Sequence, residues 1–247
     1  MPISTSLLSQ TGKKLFPERL KRRMKLACGL PDTETCLARL KRSGFSPTAA
    51  IDVGAYSGEW TRALLRLFPG TRVLMIEPQQ AKSAELDTLC SSHSGLDLAT
   101  VLVGPKVAED VLFYENDTAS SVLEDANRDN SPSRRLRMTT LDSLVQERQF
   151  PLPNLIKLDV QGYEVDVLKG ASQSLTSTEV ILMEMNLIAI YKGAPLVHES
   201  VKYMADRGFH LYDIGTFFRR PYDNALWQMD AMFVRASSPL IASTRWS

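Results

Sequence analysis

Two acids and a glycine-bearing turn, set among short apolar runs, are the first places where this chain could do chemistry. Ala50-Ile51-Asp52-Val53 leads into Gly54-Ala55-Tyr56-Ser57-Gly58, and a second run, Val73 to Ile76, ends in Glu77. Glycines let backbone approach a ligand, a helix start offers unpaired N–H groups, and an acid closing the next strand can accept from ribose hydroxyls. Together they outline a nucleoside site. A third run, Leu155-Ile156-Lys157-Leu158-Asp159, carries two charges where a buried parallel strand normally reads apolar throughout. Burying such charges is costly unless they are paired or used. A fourth run closes with Glu184-Met185-Asn186, which adds more oxygen at a neighbouring strand end.

The kind of nucleoside follows from what the turn lacks. Gly54 and Gly58 are separated by three residues, so the GxGxxG spacing of a dinucleotide site is missing, and no GxxxxGK[ST] occurs. An acid inside the turn, Asp52, repels phosphate but suits an amine. S-adenosylmethionine has a ribose, an ammonium and a sulfonium, and no phosphate.

Alternating patterns must position these groups. Strands are expected at 50–53, 72–76, 98–102, 155–159, 180–185, 209–214 and 229–235, with helices at 34–42, 58–68, 81–91, 163–175 and 196–207. Such alternation implies a mostly parallel sheet covered on both faces. Residues 118–133 are polar and read as a loop over the ligand site, with a weak hairpin before it around 111–114. A hydrophobic content of 44% supports a real core and excludes a disordered chain. No apolar run approaches a membrane span. Cys28, Cys36 and Cys90 are odd in number and carry no CxxC spacing, which suggests thiols in a reducing, cytoplasmic setting. Leu7 and Leu8 precede the basic cluster instead of following it, unlike a secretory signal.

The charge is unevenly spread. Residues 1–48 hold ten Lys/Arg against three Asp/Glu, +7, and the remainder holds nineteen against twenty-five, −6. Lys13 to Lys25 interleave basic and apolar residues in the manner of an amphipathic helix. It reads foremost as a solvated helix across the domain; peripheral contact with an anionic membrane or an acidic partner is the other reading. A nucleic-acid substrate rests on this charge alone. The absence of Asn-Pro-Pro-Tyr at the fourth strand counts against methylation of adenine or cytosine amines.

The chain resembles the FkbM family of S-adenosylmethionine-dependent methyltransferases across about 37–235. The resemblance is carried by Leu40-Lys41-Arg42-Ser43-Gly44-Phe45 before the glycine turn, by Glu77-Pro78, and by Met138 to Leu144. It continues through Ile156 to Glu164, Leu168-Lys169-Gly170-Ala171, Glu184-Met185-Asn186, Tyr191 to Pro195 and Gln228 to Ala231. It implies a Rossmann-like class I methyltransferase fold with a seven-stranded, mostly parallel sheet and an antiparallel last strand. A basic helical extension over 1–48 would precede a methyltransferase domain over 49–247. Two residues depart from the family's pattern. Tyr56 stands where an asparagine is usual, and Gln161 replaces a frequent glutamate, which lessens any metal role there.

With that resemblance, Asp52 orients the turn or meets the methionine ammonium, while Gly54, Ala55, Ser57 and Gly58 contact the methionine portion through backbone. Tyr56 could stack near the ligand. Glu77, followed by Pro78, accepts from both ribose hydroxyls. Leu102, Val103 and Gly104 lie at the adenine edge, and Ser120 and Ser121 close over the cofactor. Asp159 faces the transferable methyl, with Lys157 as its charge partner or an acceptor anchor. Asp159, Glu184 and Asn186 could hold one Mg²⁺. Without metal, Asp159 or Glu184 is the general base, with His198 a further candidate; His93 and His210 read as structural. The expected reaction is O-methylation of a small-molecule, sugar or glycolipid-type hydroxyl. The rival readings are a catalytically silent nucleoside-binding interaction module and a nicotinamide-dependent oxidoreductase.

Overall fold

The computed structural model describes residues 32–127 and 132–243. The basic segment Lys13–Lys25 and Cys28 lie outside the described residues. The first described helix, α1 (Thr33–Arg42), is capped by Asp32, whose carboxylate accepts the Thr35 N–H at 3.0 Å. Strands and helices then alternate as β1 (Ala49–Val53), α2 (Glu59–Leu67), β2 (Arg72–Ile76), α3 (Gln80–Ser92) and β3 (Leu96–Ala99). Short strands β4 (Leu102–Val103), β5 (Ala108–Tyr114) and β6 (Ser133–Thr139) come next, followed by α4 (Leu141–Glu147), β7 (Leu155–Leu158), α5 (Glu164–Lys169) and α6 (Ser174–Ser177). The chain continues through β8 (Val180–Asn186), α7 (Val197–Ala205), β9 (Phe209–Arg219) and β10 (Leu226–Arg235).

The main sheet has the order β3-β2-β1-β7-β8-β10-β9, parallel except for β10, which runs antiparallel to both neighbours. This is the Rossmann-like, seven-stranded arrangement expected above. Period-two alternation splits each strand between two core layers. In β1 and β2, Ala50, Val73 and Met75 face α1, α2 and α3, where Leu37, Leu40, Leu64 and Leu86 are fully buried. Ala49, Ile51, Leu74 and Ile76 face α4, α5 and α7 with Leu141, Leu168 and Met204. Helix α1 is thus part of this core, with Cys36 buried in it as a free thiol.

Strand order reverses between β1 and β7, so the crevice beyond their carboxyl ends is where this architecture binds ligands. β9 and β10 run longer than the 209–214 and 229–235 expected, and three further elements differ. The strand placed at 98–102 is two strands, β3 and β4, and β4 joins β5 and β6 in a separate three-stranded sheet. The helix placed at 163–175 is two helices: α5 ends at Lys169 with Gly170 as its cap, where the Gly104 carbonyl leaves no room for a side chain, and α6 starts anew at Ser174. The weak hairpin becomes the full strand β5 paired with β6; the described residues of 118–133 are loop apart from the end of a 3-10 turn (Asp117–Ala119), isolated bridges at Ser121 and Asp125, and Ser133, which starts β6.

Candidate functional site

A cavity of about 340 Å³ opens at that crevice. Its floor is the turn after β1. Gly54 adopts φ +76°, and a Cβ on it would collide with the Asp159 carbonyl oxygen, so only glycine lets the ends of β1 and β7 come this close. The N–H groups of Gly54 and Ala55 donate to the Ile76 carbonyl at 2.9 and 3.1 Å, folding the turn over the end of β2. Tyr56, at φ +49°, directs its N–H to Glu77 Oε2 at 2.8 Å, and Gln79 N–H donates to Glu77 Oε1 at 2.9 Å. Glu77 is 3% exposed and lines the cavity. Burial raises its pKa, against the lowering effect of the two N–H donors. Each carboxylate oxygen retains acceptor capacity toward the cavity.

Beside the turn, Lys157 Nζ donates to the Gly54 carbonyl at 2.7 Å and pairs with Asp52 at 3.2 Å and Asp159 at 3.4 Å. Burial opposes its charge, but the two carboxylates outweigh that and raise its pKa. Asp52 is fully buried and also accepts the Thr61 hydroxyl at 2.7 Å. Asp159 has a side chain 43% exposed and lines the cavity. Next to it Gln161, which also lines the cavity, donates from Nε2 to Asp159 Oδ1 at 2.9 Å and to Glu184 Oε2 at 3.0 Å. Gln228 Nε2 donates to Glu184 Oε2 at 3.0 Å and to Asn186 Oδ1 at 3.1 Å. Burial first, then Asp159, Glu164 and Asp230, push the Glu184 pKa well above the usual carboxylate range. Asp230 is pushed up to about 6 by burial and by Asp159.

Residues 52–211 match the methyltransferase FkbM domain, which is well over half of the chain. The chain belongs to the FkbM methyltransferase family. Over 54 residues it is 35% identical to the hexuronic acid methyltransferase AglP of Haloferax volcanii, a match covering 22% of this chain and 23% of that relative. The matched part is thus under a quarter of the relative's length. Magnesium protoporphyrin IX methyltransferase of Synechocystis PCC 6803, solved with bound S-adenosylmethionine, is similar in shape at a TM-score of 0.48 and 13% identity, over 82% of this chain and 77% of that one. N-methyltransferase NodS of Bradyrhizobium japonicum WM9, solved with S-adenosylhomocysteine, gives 0.46 and 10%, over 82% and 85%.

In this FkbM methyltransferase the expected residues divide into those at the cavity and those behind it. Gly54, Ala55, Tyr56, Ser57, Glu77, Pro78, Leu102, Val103, Ser120, Ser121, Lys157 and Asp159 line it. Gly58 caps α2 at φ +75° and Gly104 packs on Met138 and Tyr163; neither lines the cavity. Asp52 lies beneath the turn, tied to Lys157 and Thr61, and does not line the cavity. His198 is exposed in the first turn of α7 and does not reach the cavity, while His93 and His210 are exposed elsewhere.

The Mg²⁺ set is corrected. The oxygens of Asp159, Glu184 and Asn186 that face one another are filled by amide hydrogens from Gln161 and Gln228, so an N–H donor occupies the place a cation would need. Among the described residues no group of three or more His, Cys, Asp or Glu could hold a metal ion. These side chains do not fit Mg²⁺.

Sequence reasoning missed Thr33, Trp60 and Asp230 in the lining and Tyr191 behind it. Asp230 and Tyr191 lie in segments that carry the family resemblance, a signal without a role attached. Thr33 had no signal, because only the packing of α1 beside β9 brings it to the cavity.

Proposed function

We propose that this chain transfers a methyl group from S-adenosylmethionine to an oxygen of a small-molecule, sugar or glycolipid-type acceptor. The observation that carries the reading is the charge of the cavity. Glu77, Asp159 and Asp230 line it, and its Lys157 ammonium is already committed to Asp52 and Asp159. Such a lining suits a nucleoside bearing an ammonium and a sulfonium, and opposes the phosphates of a nicotinamide dinucleotide. When bound, S-adenosylmethionine supplies an electrophilic methyl on a good leaving group, so the protein's share is alignment and proton removal.

Glu77 accepts from the ribose hydroxyls with the capacity left after Tyr56 and Gln79. The turn from Gly54 to Ser57 lies against the methionine portion, and Val103 and Leu102 against the base. Asp159 receives the acceptor's proton, since it faces the cavity, whereas Glu184 lies behind it. Thr33, Trp60 and Asp230 form the acceptor wall, where the Trp60 indole N–H is buried without a hydrogen-bond partner among the described residues. The partial match to a hexuronic acid methyltransferase supports a sugar acceptor.

Isothermal titration of the purified chain with S-adenosylmethionine and with NADH tests the donor. Saturable binding of the first and none of the second is expected, and the reverse would sink the proposal. Tritium transfer from methyl-labelled S-adenosylmethionine into cell extract then separates an enzyme from a silent binding module.

A further inference from the structure

We propose that Gln161 is a positioning residue for methyl transfer, its side-chain amide holding Asp159 and Glu184 together in the manner of a bound cation. The inference rests on the reading of Asp159 as the base. Gln161 sits at φ +55°, a region that costs a non-glycine residue free energy and persists only where the surroundings enforce it. They do so here from several sides. The buried Glu164 carboxylate accepts the N–H of Val160 at 3.0 Å and of Gly162 at 3.1 Å. Ser121 Oγ donates to the Gln161 carbonyl at 2.8 Å, and Gly162 packs so closely on Ala194 and Tyr191 that a Cβ there would clash.

The result is a side chain aimed between two carboxylates. Both hydrogens of its Nε2 are used, one on Asp159 and one on Glu184, and its Oε1 accepts the Tyr191 hydroxyl at 2.7 Å. A flipped amide would set a carbonyl oxygen against two acidic oxygens, so the orientation is fixed by chemistry. With Lys157 on its other oxygen, Asp159 is held by partners on both sides. A divalent cation would bridge such carboxylates at about 2.0–2.6 Å. The amide does so at 2.9 and 3.0 Å without net charge.

The full chain carrying Gln161→Glu, titrated with Mn²⁺ alone and followed by electron paramagnetic resonance, is expected to bind one ion about tenfold or more tighter than the wild type. S-adenosylhomocysteine affinity within about twofold of wild type would show the fold to be intact. Gln161→Ala is expected to leave S-adenosylmethionine affinity unchanged while tritium transfer into extract falls about 10- to 100-fold, as for other residues that orient a reacting group. A folded Gln161→Glu chain with no gain in Mn²⁺ binding would overturn the proposal, as would undiminished transfer by Gln161→Ala. A wild type that fails to bind S-adenosylmethionine would instead defeat the donor assignment and leave the Mn²⁺ result standing.

Discussion

The two ends of the one cavity are built from different materials. At the β1–β2 end the shape is made by backbone: positive φ at Gly54 and Tyr56, N–H groups folded onto Ile76, and one carboxylate, Glu77, held by two further N–H groups. At the β7–β8–β10 end the shape is made by side chains, with Asp159, Gln161, Glu184, Asn186 and Gln228 joined by amide-to-oxygen hydrogen bonds. A backbone-built end is specified by a short run of consecutive residues and tolerates little change in conformation. A side-chain-built end is assembled from distant parts of the chain and carries most of the raised carboxylate pKa values, at Glu164, Glu184 and Asp230, as its cost.

The largest test strikes the residue shared by both ends. Lys157→Met would leave Asp52 buried without its cation and free the Gly54 carbonyl, and a loss of about 3–5 kcal/mol in urea unfolding at pH 7 is expected. A loss under about 1 kcal/mol, on the order of an exposed pair, would mean that the ends are not coupled through it.

The next test sharpens the contrast by stabilising the acid end. The Glu164 carboxyl is raised to about 7, by burial first and by Asp159, against the two N–H groups it accepts. Its folded pKa stands above its unfolded one, so the folded chain binds more protons between them. Its contribution is complete below about pH 4.5 and is lost as the pH climbs through 7. Because both N–H groups point at the same carboxylate oxygen, an amide oxygen in its place would keep both bonds without the charge. Glu164→Gln should therefore match wild type near pH 4.5 and exceed it by about 3 kcal/mol at pH 8. Parallel stability curves for the two proteins would refute the assignment.

The smallest effect is confined to the backbone-built end. Glu77→Gln sets an amide N–H₂ against the N–H of Tyr56 or Gln79 and removes a ribose acceptor. A ten- to hundredfold weaker S-adenosylmethionine affinity by calorimetry, about 1.5–3 kcal/mol, is expected, with about 1–3 kcal/mol lost in unfolding from the backbone N–H left without its acceptor. An unaltered affinity would remove Glu77 from the cofactor site.

The same contrast explains what the sequence made legible. Gly54, Glu77 and the charged strand ending at Asp159 stood out because a few adjacent residues violate the apolar pattern around them. The sheet followed from alternating runs, and β2 begins and ends where its pattern does. The Mg²⁺ set failed because oxygen count was legible and hydrogen-bond occupancy was not: Gln228 sits 42 positions from Asn186 and meets it only through the β8–β10 register. Helix α4 escaped for a local reason, since its seven residues are too few for a clear periodicity. Thr33 reached the cavity through tertiary packing, which no local pattern encodes.

Gly54 has a consequence for how this chain can change over generations. Every single-nucleotide change in a glycine codon that alters the residue yields a side chain with a Cβ, or a stop. At this position a Cβ meets the Asp159 carbonyl, which is backbone at the neighbouring strand's end rather than a side chain that could turn aside. Relief would require β1 and β7 to separate, and with them Lys157 and its two carboxylates. Codon 54 therefore has no one-step neighbour whose side chain fits this turn as it stands.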